Sequence, residues 1–218
     1  MTLLPPGQRE AEGFPRFGTH LHRPPPAIPP DPAITVTGAI RSPLSLRLDG
    51  LPRVDRVADF HCVAGWSATG LRWEGVAFAT FYRTLIEPEL TPAATVTHLV
   101  FRGWDGYSST VLLRDALAED VLIATHLDGQ PLSPAHGAPV RLVSPSQYGF
   151  ISTKHLRTIE VHTRKPREDH PYAVLIRSHP RARVWQEERH PWFPTVAVRP
   201  FYRSLIRPIA RLSARGTR

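Results

Sequence analysis

Apolar and polar positions in this chain alternate in short runs broken by glycine and proline. Residues 34–37 and 44–48 are β-type runs, separated by Gly38 and Pro43. Residues 57–62, 72–76, 139–143 and 156–162 carry the same pattern, and 96–101 reads as a buried strand. Residues 121–127 form another strand, followed by Asp128-Gly129, a hairpin turn pair. The apolar spacing over 78–86 predicts a helix stopped before Pro88, and 112–117 a helical turn. Strands and short helices do not alternate regularly. The expected class is therefore α+β with mixed sheets, not a doubly wound parallel sheet. No internal repeat is present.

Composition narrows the picture. The chain has 218 residues, enough for one domain with tails. No apolar run approaches the roughly 20 residues of a membrane helix. The start, MTLLPPGQRE, lacks a basic stretch followed by an apolar one, so no secretory signal is expected and the cytoplasm is the expected compartment. The single cysteine, Cys62, excludes an internal disulfide framework and a zinc ribbon. The chain holds 24 prolines, which keep helices short. Many fall in 1–33, predicting an irregular arm, although Phe14, Phe17 and Leu21 could anchor it to the body.

Of the net charge of +8, the last twenty residues contribute six, as six arginines with no acid. The expected organisation is an arm at 1–33, a near-neutral body at 34–180 and a basic tail at 181–218. Arginines every four residues drift slowly around a helix, leaving Phe201, Leu205, Ile206, Ile209 and Leu212 as an apolar side. Pro208 breaks this into two short helices or one kinked helix. Such a tail suits an acidic protein or an anionic membrane surface; nucleic acid is not expected. Alternatively Phe201, Leu205 and Ile209 pack on the body as a brace.

Two segments carry chemistry. The first is Asp59-Phe60-His61-Cys62-Val63-Ala64-Gly65-Trp66-Ser67. Cys62 is a buried structural thiol, a nucleophile, or a single soft ligand to a metal completed by other groups. His61 points to the opposite strand face, a poor position for a base. The second runs from 131 to 154, where His136, Arg141, Ser152 and Lys154 together could hold a phosphate. Singly, Arg141 reads as a solvated strand charge and His136 as a turn residue.

In order, Cys62 with Trp66-Ser67, then Arg72-Trp73-Glu74-Gly75-Val76, Gly106-Tyr107, His136-Gly137-Ala138-Pro139-Val140-Arg141 and Lys154 resemble the sulfite-oxidase-type molybdopterin domain over roughly residues 5–165. The Cys-Val-x-x-Trp-Ser run is closer to the methionine-sulfoxide reductase branch and its small bacterial relatives. The resemblance implies a molybdenum-molybdopterin oxidoreductase acting by two-electron oxygen-atom transfer on a small substrate. Cys62 would bind molybdenum as thiolate. His136, Arg141 and Ser152-Thr153-Lys154 would anchor the pterin phosphate, and Thr19 and His20 in Gly18-Thr19-His20-Leu21 would touch the pterin from an arm folded over the cofactor. Trp66 and Tyr148 would line the substrate pocket, and Gly103 would offer only backbone there.

The departures are informative. Sulfite oxidases carry an arginine shortly after the cysteine and another three residues before the lysine. This chain has Val63, Ala64, Gly65 and Trp66, and then Ile151. Each charge-assisted contact is worth roughly 1.5–3 kcal/mol, so sulfite is disfavoured against a neutral sulfoxide or N-oxide. No CxxCH haem motif occurs, so a separate redox partner is implied. Two competing readings remain at this stage: a basic-tailed binding protein for an anionic partner, nucleic acid or a membrane surface, without redox activity, and a thiol hydrolase built on Cys62.

Overall fold

The computed structural model describes residues 3–17, 24–166, 179 and 181–215. The chain opens with β1 (Arg9–Glu10), β2 (Ile34–Gly38), β3 (Leu44–Leu46), β4 (Arg53–His61) and β5 (Trp66–Ala77). A short helix α1 (Phe78–Phe81) widens into a further helical turn, Tyr82–Ile86. Then come β6 (His98–Gly103), β7 (Ser108–Leu112), α2 (Leu113–Ala116), β8 (Leu122–Leu127), β9 (Gln130–Pro131), β10 (Arg141–Val143) and β11 (Leu156–His162). The chain closes with α3 (Thr195–Ser204) and α4 (Ile206–Arg215).

These strands form two mixed sheets. One is ordered β3-β2-β11-β6-β7, with β2 and β11 parallel and the other pairs antiparallel. The other is built around the long β5, which pairs antiparallel with β4 and β8 and parallel with β1; β8 also pairs with β9 and β10. The α+β class read from the pattern is the class observed.

Local chemistry explains the elements. Phe78, Phe81, Tyr82 and Ile86 recur at helical spacing and are all buried. Pro88 then prevents regular continuation. Asp128 and Gly129 both take positive φ, as a two-residue hairpin between β8 and β9 requires. β1 and β7 were not predicted, and β5 is longer than its expected span of 72–76. Gly70, with φ of +66°, reads as a breaker, yet β5 runs through it.

The main core joins Val36, Leu99, Phe101, Ile159 and Val161 of one sheet to Val76 and Ile123 of the other, with the α1 aromatics between. Ala182 and Val184 belong to the same core. Arg181 ties that segment down by pairing with Asp115 at 2.6 Å. The body therefore continues past the boundary expected at 180, because this segment also pairs through backbone with Ser146 and Tyr148. A smaller core gathers Cys62, Ala64, Trp66, Trp73 and Val143 under Phe14 and Phe17 of the arm and Ile206 of α4. The candidate residues Cys62, Trp66 and Arg141 lie in or against it.

Candidate active site

Cys62 heads the tight turn between β4 and β5. The backbone closes through Cys62 N–H to Trp66 O at 2.8 Å and Gly65 N–H to Cys62 O at 3.0 Å. Gly65 takes φ of +102°, which a residue with a Cβ adopts only under strain. The outer carbonyls of the turn are then capped from elsewhere. Gln8 Nε2 donates to Cys62 O at 3.2 Å, Arg9 N–H to Gly65 O at 3.1 Å, and Arg189 Nη1 to Val63 O. Both the N-terminal arm and the chain after 180 thus hold the cysteine turn.

The Cys62 sulfur is buried and accepts a 3.5 Å bond from Ala64 N–H. Burial pushes the thiol up to about 12, against smaller opposing pulls from Ala64 N–H and Arg189. A cysteine nucleophile needs the reverse shift. His61 instead turns to Ser67, with Nδ1 2.7 Å from Oγ, and Ser67 donates to Gln8 Oε1 at 3.1 Å. The hydrolase reading therefore lacks its base at His61. Among the described residues no three His, Cys, Asp or Glu side chains group to hold a metal. Cys62 can supply one soft ligand to a centre whose other ligands arrive with it.

The second end of the site is cationic. Arg141 is fully buried on β10 and forms no ion pair with an acid among the described residues. Its guanidinium donates to His136 O at 3.0 Å and Ser152 O at 3.1 Å. It also lies 5.3 Å from the Phe60 ring, 5.4 Å from Trp73 and 5.9 Å from Phe14. Burial pulls its pKa down to about 9. The expectation of a solvated strand charge is overturned: β10 is buried along its whole length.

Lys154 lies half-buried beside it, with Nζ donating to Ala135 O at 2.8 Å. Desolvation, then Arg141 and Arg16, pull Lys154 down to about 7. Gly103 makes room for this arrangement. A Cβ there would lie 2.4 Å from Lys154 O and 2.5 Å from Asp105 Oδ1. His136 uses both ring nitrogens, on Phe14 O at 2.9 Å and Ser133 Oγ at 3.0 Å. Burial depresses its pKa. Ser152 Oγ accepts from Ser144 N–H at 3.1 Å, and the Thr153 hydroxyl pairs with Ser109 at 2.8 Å.

One ring joins the two ends. Phe14 lies 4.7 Å from His136, 4.9 Å from Phe60, 5.8 Å from Trp73 and 6.5 Å from Trp66. The structure therefore brings Cys62, Trp66, His136, Arg141, Ser152 and Lys154 around one aromatic wall. Trp66 is buried beneath Phe14 and Phe17 rather than facing solvent. Tyr148 is buried in the main core, with the Arg189 guanidinium 4.9 Å from its ring. Burial raises the Tyr148 phenol to about 12. Gly149, next in sequence, lets this turn press against Phe60, since a Cβ there would lie 2.2 Å from the ring. Thr19 and His20 lie outside the described residues.

Sequence reasoning missed Arg189 and Gln8. Arg189 sits in Gln186-Glu187-Glu188-Arg189-His190, a run that reads as solvated surface, yet its side chain is fully buried. Gln8 lies among prolines, with no periodicity to mark it.

Comparisons with known proteins agree with one another. A family profile described as "Oxidoreductase molybdopterin binding domain" matches residues 22–170. The "Uncharacterized oxidoreductase YuiH" of Bacillus subtilis is 31% identical over 163 residues, covering 73% of this chain and 78% of its own. The "Putative protein-methionine-sulfoxide reductase subunit YedZ1" of Azospira oryzae is 29% identical, covering 67% of this chain and 48% of its own. The "Protein-methionine-sulfoxide reductase catalytic subunit MsrP" of Xanthomonas campestris pv. campestris is 30% identical, with 62% and 46% covered. The chain thus spans about half the length of these two reductase relatives. Among solved structures, the sulfane dehydrogenase SoxCD from Paracoccus pantotrophus shares the fold, with a TM-score of 0.55 at 20% identity over 71% of this chain and 44% of that one.

Proposed function

The chain belongs to the oxidoreductase molybdopterin binding domain family, and on that premise we propose that it transfers an oxygen atom to or from a small, neutral sulfoxide- or N-oxide-type substrate. The family expected from the cysteine and His-Gly-x-Pro-Val-Arg segments is the family found, and its cofactor is molybdopterin carrying molybdenum.

The residues present fit such a group. A single buried thiol stands at one end of the site, and a buried arginine with no carboxylate partner among the described residues stands with a desolvated lysine at the other. An arginine left this way is costly unless an anion joins it. When bound, the cofactor supplies a two-electron redox centre able to accept or donate an oxygen atom.

The protein's own part is positioning and electrostatics. Cys62 would hold the metal through its thiolate, giving up its proton as the metal enters. Arg141 and Lys154 would hold the pterin phosphate, Arg141 as a planar fork and Lys154 as a point charge. His136 has both nitrogens engaged, so its part is to fix the loop that carries the Arg141 contact. Thr153, turned to Ser109, fixes the Ser152 and Lys154 backbone. Phe14, Phe60 and Trp66 would exclude water between the two ends.

Substrate choice follows from charge near Cys62. Val63, Ala64, Gly65, Trp66 and Ile151 carry none. Arg189 and Arg203 are near, but Arg189 spends its Nη groups on Val63 O and Pro6 O, and Arg203 Nη2 donates to Gly7 O. A neutral substrate suits this setting better than a dianion. The names of the reductase relatives support the same choice. Electrons would come from a separate redox partner.

The observation that carries this reading is the lone thiol and the acid-free buried arginine on one aromatic wall. The test is to express the chain in a cofactor-synthesising host and measure molybdenum, pterin and sulfoxide-dependent oxidation of a reduced dye. Stoichiometric metal with turnover supports the reading; metal-free protein from such a host contradicts it.

A further inference from the structure

Helix α3 shows apolar side chains to solvent as well as to the body. At 100° per residue, Val196, Ala197, Pro200, Phe201 and Ser204 share one continuous arc, and all five are exposed. The rest of the helix carries the half-buried Val198 and Tyr202 together with Arg199 and Arg203. Arg199 Nη2 pairs with Glu187 Oε1 at 2.6 Å, and Arg203 Nη2 reaches Gly7 O at 3.4 Å. A surface helix of a globular protein ordinarily turns its charged residues, not a Val-Phe arc, to solvent. Val196 is 80% exposed, Phe201 62%, and Phe193 before the helix 58%. The alternative that Phe201 packs on the body as a brace with Leu205 and Ile209 is thus corrected: Leu205 and Ile209 are half-buried, but Phe201 is exposed. Glu187 and the Gly7 carbonyl draw the arginines inward and turn Phe201 out.

Helix α4 has ordinary polarity. Ile206 packs on the smaller core, while Arg207 and Arg211 are exposed. No acidic residue follows Glu188 in the sequence. An apolar, aromatic ridge thus adjoins exposed arginines in a stretch of chain that carries no acid.

We propose that α3 and α4, with Phe193, form a peripheral docking surface for an anionic lipid bilayer. Apolar and aromatic side chains seat at the headgroup boundary while flanking arginines meet the anionic headgroups. Each helix has ten residues and is about 15 Å long, so the pair lies in the interface. No described helix is long and apolar enough to cross a membrane. An acidic protein would satisfy Arg207 and Arg211 but leave Val196 and Phe201 in water. A second copy would set arginine against arginine. The inner arc of α3 rests on the cysteine turn, since a Cβ on Gly65 would lie 3.7 Å from Arg203 Cγ. Docking would therefore place the Cys62 end of the site next to the membrane.

The test uses the full chain loaded with cofactor and vesicles of phosphatidylcholine with or without phosphatidylglycerol. Sedimentation with the anionic vesicles, weakening with salt, is expected. Arg207→Gln with Arg211→Gln should weaken it about 30-fold, from two lost charges. Phe193→Ser with Phe201→Ser should weaken it about ten-fold or more. Both positions are exposed, so the melting temperature should hold in each variant, and the melt separates lost docking from lost fold. Absence of binding would overturn the proposal. So would equal binding to neutral vesicles, indifference to the phenylalanine pair, self-association abolished by Phe201→Ser, or a salt-dependent complex with an acidic protein alone.

Discussion

Arg189 donates from Nη1 to the carbonyl of Val63, the residue after Cys62, across 126 positions of sequence. Its Nη2 reaches Pro6 O at 3.5 Å, so one buried guanidinium ties the cysteine turn to the arm. Glu187, 3.7 Å away, partly balances its charge. Arg189→Leu removes these donors and leaves a buried carbonyl unpaired. The expected loss is roughly 2–4 kcal/mol in urea unfolding, with a lower metal content per chain. A loss below about 0.5 kcal/mol, the scale of an ordinary surface change, would show that the turn holds without it.

Lys154 gives a pH dependence with a definite sign. Its pKa in the cofactor-free folded protein is about 7, below its ordinary value. Below that pH the folded protein must carry a partly desolvated charge beside Arg141 and Arg16, and the full penalty applies. As pH rises above 7 the unfolded chain keeps a proton that the folded one has released, so stability rises. The window opens at pH 7, and Cys62, which is half-ionised at about pH 8.5 in the unfolded chain, contributes equally to the two proteins compared. Cofactor-free wild-type protein should gain stability across it relative to Lys154→Met. Parallel curves for the two proteins would refute the assignment.

Arg141→Met and Lys154→Met should lower cofactor occupancy rather than turnover per bound cofactor. Both are proposed to hold the phosphate end, and Arg141 donates to the loop carbonyls of His136 and Ser152. Molybdenum per chain is expected to fall about ten-fold or more, the loss of one charge-assisted contact. Full occupancy in both variants would move the phosphate elsewhere.

Sulfite should reduce the oxidised centre slowly. Val63, Trp66 and Ile151 are uncharged, and the nearby Arg189 and Arg203 already donate to backbone carbonyls. Stopped-flow mixing is the measurement. Rapid reduction that saturates at low sulfite would mean that the Arg189 side chain is released to the substrate.

Much of the fold was legible because its strands are short and alternating. The Asp128-Gly129 turn and the helix stop before Pro88 are local chemistry, and both appear where the residues put them. Cys62, Arg141 and Lys154 were legible as chemistry because each is an unusual residue in a recognisable run. The burial of Arg141 was not, since the rings that cover it come from residues 14, 60 and 73. Arg189 and Gln8 were invisible for a related reason. Each sits in a segment with no apolar period, and its role exists only through a backbone carbonyl distant in sequence. The inward turn of Arg199 and Arg203 was hidden too, because a periodic pattern gives a helix its sides but not which side faces the body.

The central claim is that Cys62 ligates the metal. X-ray absorption at the molybdenum edge, on loaded wild-type protein and Cys62→Ser, measures this directly. The serine hydroxyl stays protonated and is a poor soft-metal ligand, while the small core around it should tolerate the exchange. The predicted result is one sulfur neighbour fewer in the variant, with activity lost and the melting temperature nearly kept. An unchanged sulfur shell in a folded, loaded Cys62→Ser protein would contradict the account.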